Sequence, residues 1–152
     1  MKLFCRTYGN GPPLIILHGL YGSSDNWVTV ARRLSSAFTV ILPDLRNHGQ
    51  SPHSPEHTYE SMASDIYELA GTLRTGKFFL AGHSMGGKAA MLFALRHPAM
   101  LNGLAVLDIS PFGSADPSGK FFIRHKNILD SILSTGLSGV KSREEAEMLL
   151  AE

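Results

Sequence analysis

The chain has 152 residues, enough for one substantial core, and 43% apolar with 18% charged residues is the composition of an ordinary globular domain. A formal net charge of +1, with no block of like charges, leaves no electrostatic footprint for nucleic acid or an anionic membrane. Cys5 is the only cysteine, which excludes an internal disulfide and a cysteine metal cluster; with no signal-type apolar core and no run approaching a membrane span, the expected setting is cytoplasmic.

Met1 to Tyr8 has mixed strand character, and Gly9-Asn10-Gly11-Pro12-Pro13 is a turn before Leu14-Ile15-Ile16-Leu17, a short apolar run that reads as a buried parallel strand. It empties into His18-Gly19-Leu20-Tyr21-Gly22, where two glycines let the backbone approach a ligand. A helix follows, with Ser24 or Asp25 as its cap and Trp27, Val30, Ala31 and Leu34 on one face. Phe38 to Leu42 is the next strand, and Pro43 to Pro52 is a polar loop at its C-terminal end. There Asp44 and Arg46 are candidates for substrate binding, but the favoured reading is a pair that ties down the Pro43–Pro52 loop, and the same structural reading fits His53 and His57.

Tyr59, Met62, Ala63, Ile66, Leu69, Ala70 and Leu73 recur at helical spacing, and Gly76 is placed at that helix's end. Phe78-Phe79-Leu80-Ala81 then runs as a strand into Gly82-His83-Ser84-Met85-Gly86, which fits the G-x-S-x-G pattern of a sharp strand-to-helix turn. Gly82 and Gly86 omit side chains that would clash in so tight a bend, and Ser84 is left with its hydroxyl projecting above the sheet. The helix behind it, Ala89 to Leu95, is apolar on every face, as expected of one buried beneath a site, and stops at His97-Pro98.

Leu104 to Ile109 is a further apolar strand interrupted by Asp108. Gly113 to Gly119 reads as a flexible link, Phe121 to Leu133 as a helix, and Ser142-Arg143-Glu144-Glu145 as a capping box for a last helix ending at Glu152. The alternation of strand and helix from Leu14 to Ile109 argues an α/β fold, a three-layer and mostly parallel sheet with sites at the strands' C-terminal ends.

A serine becomes a useful nucleophile when a base takes its proton, and acyl transfer also needs donors aimed at the oxyanion of the tetrahedral intermediate. Ser84 is the candidate nucleophile, the backbone N–H groups of Leu20 and Met85 the candidate oxyanion hole, and Asp108 the acid that would orient a histidine. The alternative for Asp108 is a structural one, satisfying backbone donors in the Ser110-Pro111 turn. Of the seven histidines (His18, His48, His53, His57, His83, His97 and His125), none follows a further strand after Asp108, where the order Ser, Asp, His would place the base.

The His18-Gly19-Leu20 loop, the Asp44 to Pro55 stretch with Asn47-His48-Gly49, the elbow Gly82 to Lys88 and Leu107-Asp108-Ile109-Ser110-Pro111 together resemble the alpha/beta-hydrolase superfamily. Within it they are most similar to the bacterial YbfF-type acyl esterases and the animal group of alpha/beta-hydrolase domain-containing protein 11. The resemblance runs from about Leu3 to Pro111, with residues 112–152 similar to the beginning of a helical cap. It implies a serine hydrolase without cofactor or metal that cleaves carboxylic esters or acyl thioesters, with Asp108 supplied by the strand after the elbow. It also implies that the catalytic histidine lies beyond Glu152, so that the 152-residue fragment is inactive alone and self-associates through an exposed sheet edge. Rival readings are a carbon–carbon bond hydrolase or haloperoxidase-like enzyme on the same elbow, and a non-catalytic binding module. Dehalogenases and epoxide hydrolases carry aspartate where this chain has Ser84.

Overall fold

The computed structural model describes residues 1–73, 76–112, 120–134 and 139–150. The chain divides into two compact units, Met1–Pro111 and Phe112–Glu152. In the first, five strands form one sheet in the order β1-β3-β2-β4-β5: β1 (Cys5–Tyr8), β2 (Pro13–Leu17), β3 (Thr39–Pro43), β4 (Phe78–His83) and β5 (Leu101–Leu107). β1 is antiparallel to β3 and the other pairings are parallel. The helices are α1 (Val28–Leu34), α2 (Tyr59–Gly71) and α3 (Met85–Arg96).

Successive side chains of a strand face opposite ways, which is why the central strands are apolar throughout. Ile15 and Leu17 of β2, Ile41 of β3 and Phe78 and Leu80 of β4 point to one face, where Met62, Ile66, Ala89 and Phe93 of α2 and α3 cover them. Ile16, Val40, Leu42 and Ala81 point to the other, against Ala31, Val28 and Leu34 of α1. Fully burying a side chain such as Phe78, Phe93 or Ile66 contributes roughly 1.5–3 kcal/mol, and these two layers hold the sheet between them.

Several boundaries differ from the sequence reading. Ser23, not Ser24 or Asp25, caps the turn before α1, and that turn is a 3-10 helix over Ser24–Trp27. Val28 takes the core position expected of Val30, which is 37% exposed. β3 begins at Thr39 and includes Pro43. α2 ends at Gly71 although the apolar spacing continues to Leu73, because Leu73 still packs on the core after the helix has closed with the Thr72 N–H on Ala70 and Leu69. α3 is buried on one side only: Ala89, Ala90 and Phe93 face the sheet while Leu95 is 81% exposed. β5 stops at Leu107, so Asp108 follows the strand instead of interrupting it.

The second unit contributes α4 (Lys120–Ser134) and α5 (Arg143–Leu150). Ser142 Oγ accepts from the Glu145 N–H, as a capping box requires, but the Glu145 carboxylate accepts from Lys141 N–H one residue before the cap. The expected link Gly113 to Gly119 and the end of the last helix at Glu152 lie outside the described residues. Among the described residues no helix is long and apolar enough to cross a membrane.

Candidate active site

From β2 the chain crosses to β3 on one side, whereas from β4 it crosses to β5 on the other. The C-terminal ends of β2 and β4 therefore flank the switch point at which open α/β sheets hold their ligands. Leu17 is in register with Gly82, so the residues that leave the two strands, His18-Gly19-Leu20 and His83-Ser84-Met85, emerge side by side. A Cβ on Gly19 would stand 3.4 Å from Ser84 Cβ and 2.9 Å from His83 Nδ1.

Ser84 sits at φ 51° and ψ −115°, a conformation that costs an L-residue on the order of 1–3 kcal/mol. Bonds on either side hold it there. Its N–H donates to Leu107 O at 3.1 Å, extending the β4–β5 ladder by one rung, and its carbonyl accepts from Lys88 N–H at 3.1 Å, opening α3. The glycines are explained by distance: a Cβ at Gly82 would lie 2.3 Å from Gly86 O, and one at Gly86 would lie 2.5 Å from His18 O. Ser84 heads α3 without spending its hydroxyl on the helix cap, which leaves Oγ for other chemistry.

Met85 is the first residue of α3, so its N–H has no acceptor within the helix. Leu20 is the second residue of a turn closed by Gly22 N–H on Gly19 O at 3.1 Å, with Tyr21 at φ 61°. Its own N–H takes no part in closing that turn. A cleft of about 430 Å³ opens beside it, lined by Leu20, Tyr21, Trp27, Val30 and His83 among others.

Asp108 is one residue past the His83–Leu107 register pair, the step on β5 that Ser84 occupies on β4, and it too has a positive φ, 54°. Its carboxylate is 91% exposed, with Oδ2 3.7 Å from His83 Nε2. The segment after it is tied to the elbow helix, since Lys88 Nζ donates to Ser110 O at 2.6 Å and a Cβ on Gly87 would lie 2.7 Å from Ile109 Cγ2. Sequence reasoning had no role for Lys88; its place one turn after the elbow serine was the available signal.

The expected Asp44–Arg46 pair is not formed. Asp44, 1% exposed, accepts from Ser24 N–H at 2.6 Å and Gln50 N–H at 2.8 Å. Burial pushes its pKa up, but these donors outweigh burial and leave it below the ordinary carboxylate value. Arg46 turns instead to Asp65 of α2, Nε to Oδ2 at 2.6 Å and Nη2 to Oδ1 at 2.9 Å, and this bidentate partner raises the guanidinium pKa. An acidic residue inside the apolar stripe of α2, between Met62 and Ile66, was the signal for it.

The loop histidines serve the scaffold. His18 is buried with both ring nitrogens engaged, His48 Nδ1 donates to Arg46 O at 2.9 Å, and His57 Nδ1 accepts from Asn47 Nδ2 at 3.1 Å. His97 packs its ring at a tilt against those of Tyr67 and Phe93, with centroids 4.6 and 5.0 Å away, and His125 lies on α4. His53 is exposed in the long loop. Among the described residues, no cluster of three or more His, Cys, Asp or Glu is placed to hold a metal ion.

Residues 12–148 match the family described as alpha/beta hydrolase fold. The sn-1-specific diacylglycerol lipase ABHD11 of Danio rerio is 50% identical over 105 residues, 68% of this chain and 33% of that protein. Esterase YbfF of Escherichia coli (strain K12) is 32% identical over 143 residues, 94% of this chain and 54% of that protein. Among solved structures, a marine microorganism esterase superposes with a TM-score of 0.86 at 44% identity, covering 99% of this chain and 57% of its own. The chain thus spans about a third to a half of the length of these curated relatives.

Proposed function

This chain belongs to the alpha/beta hydrolase family, and from that premise we propose that it carries the nucleophile half of a serine hydrolase cleaving carboxylic esters or acyl thioesters. One observation carries the reading: Ser84 is held in a strained bend, its hydroxyl unused by the helix it heads, one hydrogen-bonded rung from Asp108. Relatives named as an esterase and a lipase support ester substrates in general.

In the proposed reaction Ser84 Oγ attacks the carbonyl carbon and its proton passes to a histidine base that follows Asp108 in the chain order Ser, Asp, His. The carbonyl oxygen takes the negative charge and is held by the N–H groups of Leu20 and Met85; each such donor is worth on the order of 3 kcal/mol in the transition state. The base returns the proton to the leaving alcohol or thiol as the C–O or C–S bond breaks. Water then attacks the acyl-enzyme by the same route and releases the acid and free Ser84. Asp108, exposed and ready to accept, orients the imidazole. Residues 112–152 are assigned as the beginning of a helical cap, and the protein works in the cytoplasm.

The test is covalent labelling by a fluorophosphonate, with ester turnover, in the protein expressed over its whole natural coding sequence. Labelling is expected at Ser84 and is expected to vanish, with turnover, in Ser84→Ala. A folded full-length protein that takes no label would make the chain a binding module and overturn the reading.

A further inference from the structure

His18 is the first residue after β2. Its ring is 1% exposed, with Nδ1 2.8 Å from Gly19 O and Nε2 2.9 Å from Leu45 N. A carbonyl oxygen can only accept, so Nδ1 carries the proton; a backbone N–H can only donate, so Nε2 is bare. Both contacts demand the same neutral tautomer. Burial, which disfavours the imidazolium, pushes the pKa down in the same direction, although the Gly19 carbonyl and Asp44 pull it up; His48, its ring 5.1 Å away, adds to the lowering.

Gly19 O receives a second hydrogen bond, from Gly22 N–H at 3.1 Å. The Gly19 carbonyl and the Leu20 N–H belong to one planar trans peptide and point in opposite directions, and no cis bond occurs among the described residues. Two donors that fix the carbonyl therefore fix the direction of the Leu20 N–H. Elbow and loop are in contact where this matters: His18 O lies 2.5 Å from where a Gly86 Cβ would be, and Gly19 faces Ser84 Cβ.

Resting on the serine-hydrolase reading, we infer that His18 is a positioning residue, whose Nδ1–H clamps the Gly19–Leu20 peptide so that the Leu20 amide is aimed at the oxyanion before substrate arrives. The bond from Leu45 N–H to Nε2 holds the ring in the orientation this needs. Such a clamp acts on turnover and leaves substrate binding nearly alone, since the donor it aims gains strength as charge develops on the oxygen.

Two substitutions separate the clamp from a simple tie between loops. His18→Asn keeps a donor at the Nδ1 position and loses the Nε2 acceptor; His18→Gln keeps an acceptor near Nε2 and loses the Nδ1 donor. In the full natural protein, with Ser84→Ala run alongside, His18→Gln is expected to lower kcat by roughly 100-fold with KM little changed, and His18→Asn to retain kcat within about 10-fold. The reverse order, with Gln active and Asn inactive, or wild-type kcat in both, would overturn the inference. Nitrogen NMR of the wild-type ring is the second measurement, valid even if a variant does not fold: a protonated Nδ1 with a bare Nε2 at neutral pH supports the clamp, and the opposite tautomer removes it. Ester turnover absent from the wild type, or unchanged in Ser84→Ala, would overturn the serine-hydrolase reading, while the ring tautomer still reports on the clamp by itself.

Discussion

Asp44 shows how one carboxylate can organise two loops. It joins the turn before α1 to the loop after β3 through Ser24 and Gln50, and Gly49, at φ 54°, is the residue that lets the loop wrap it, because a Cβ there would lie 2.1 Å from Oδ2. Its folded pKa is lowered, so its stabilisation is fully present above the ordinary value of about 3.9 and is lost as pH falls through the lower folded value. His18 and His57 are also lowered, both chiefly by burial, and their contributions are lost in a higher window, as pH falls below about 6.5 and the unfolded chain takes up protons first. Urea titrations against pH should show both slopes in the wild type. Asp44→Asn should cost about 3 kcal/mol at neutral pH, flatten the acid slope and leave the one near 6.5 in place. An unchanged acid slope would mean that another carboxylate governs it.

At the scale of elements, the β4–α3 turn is the least negotiable part of the chain. The atoms that a Cβ on Gly82 would meet are backbone atoms of Gly86 and Gly87, which cannot move without unwinding the first turn of α3. Gly82→Ala is therefore expected to destabilise by more than about 3 kcal/mol, whereas Gly71→Ala, with nothing within 4 Å of the new Cβ at the end of α2, should be neutral or gain about 0.5–1 kcal/mol. Thermal melts of the pair provide the comparison; equal melting temperatures would show that the bend can relax. The spacing of Met62, Ile66 and Leu69 made α2 legible in advance, but its end was not, because Leu73 packs on the same core from outside the helix. Periodicity reports which residues are covered, and helix termination is decided by local hydrogen bonds.

For the whole molecule, β5 is the exposed margin. Among the described residues it pairs with β4 alone, and Leu104, Val106, Leu107 and Ile109 are 36–41% exposed. Open strand edges with apolar side chains invite pairing with another chain. The 152-residue protein is expected to associate as concentration rises, and Leu104→Lys to suppress this, as measured by light scattering on a sizing column. A monomer at every concentration would show that the edge is blunted by other means.

Local regularities in the sequence determined a great deal: the apolar runs of the parallel strands, the glycines of the bend and the serine between them follow from the sterics of strand and turn, which act over a few residues. Tertiary structure decided which side chains meet. Arg46 chose Asp65 over its near neighbour Asp44, Lys88 reached the carbonyl of Ser110, and His18 bridged Gly19 to Leu45. Those choices depend on which loops the sheet order brings together, and hydrogen bonds between segments 19 to 27 residues apart leave no periodic trace in the chain.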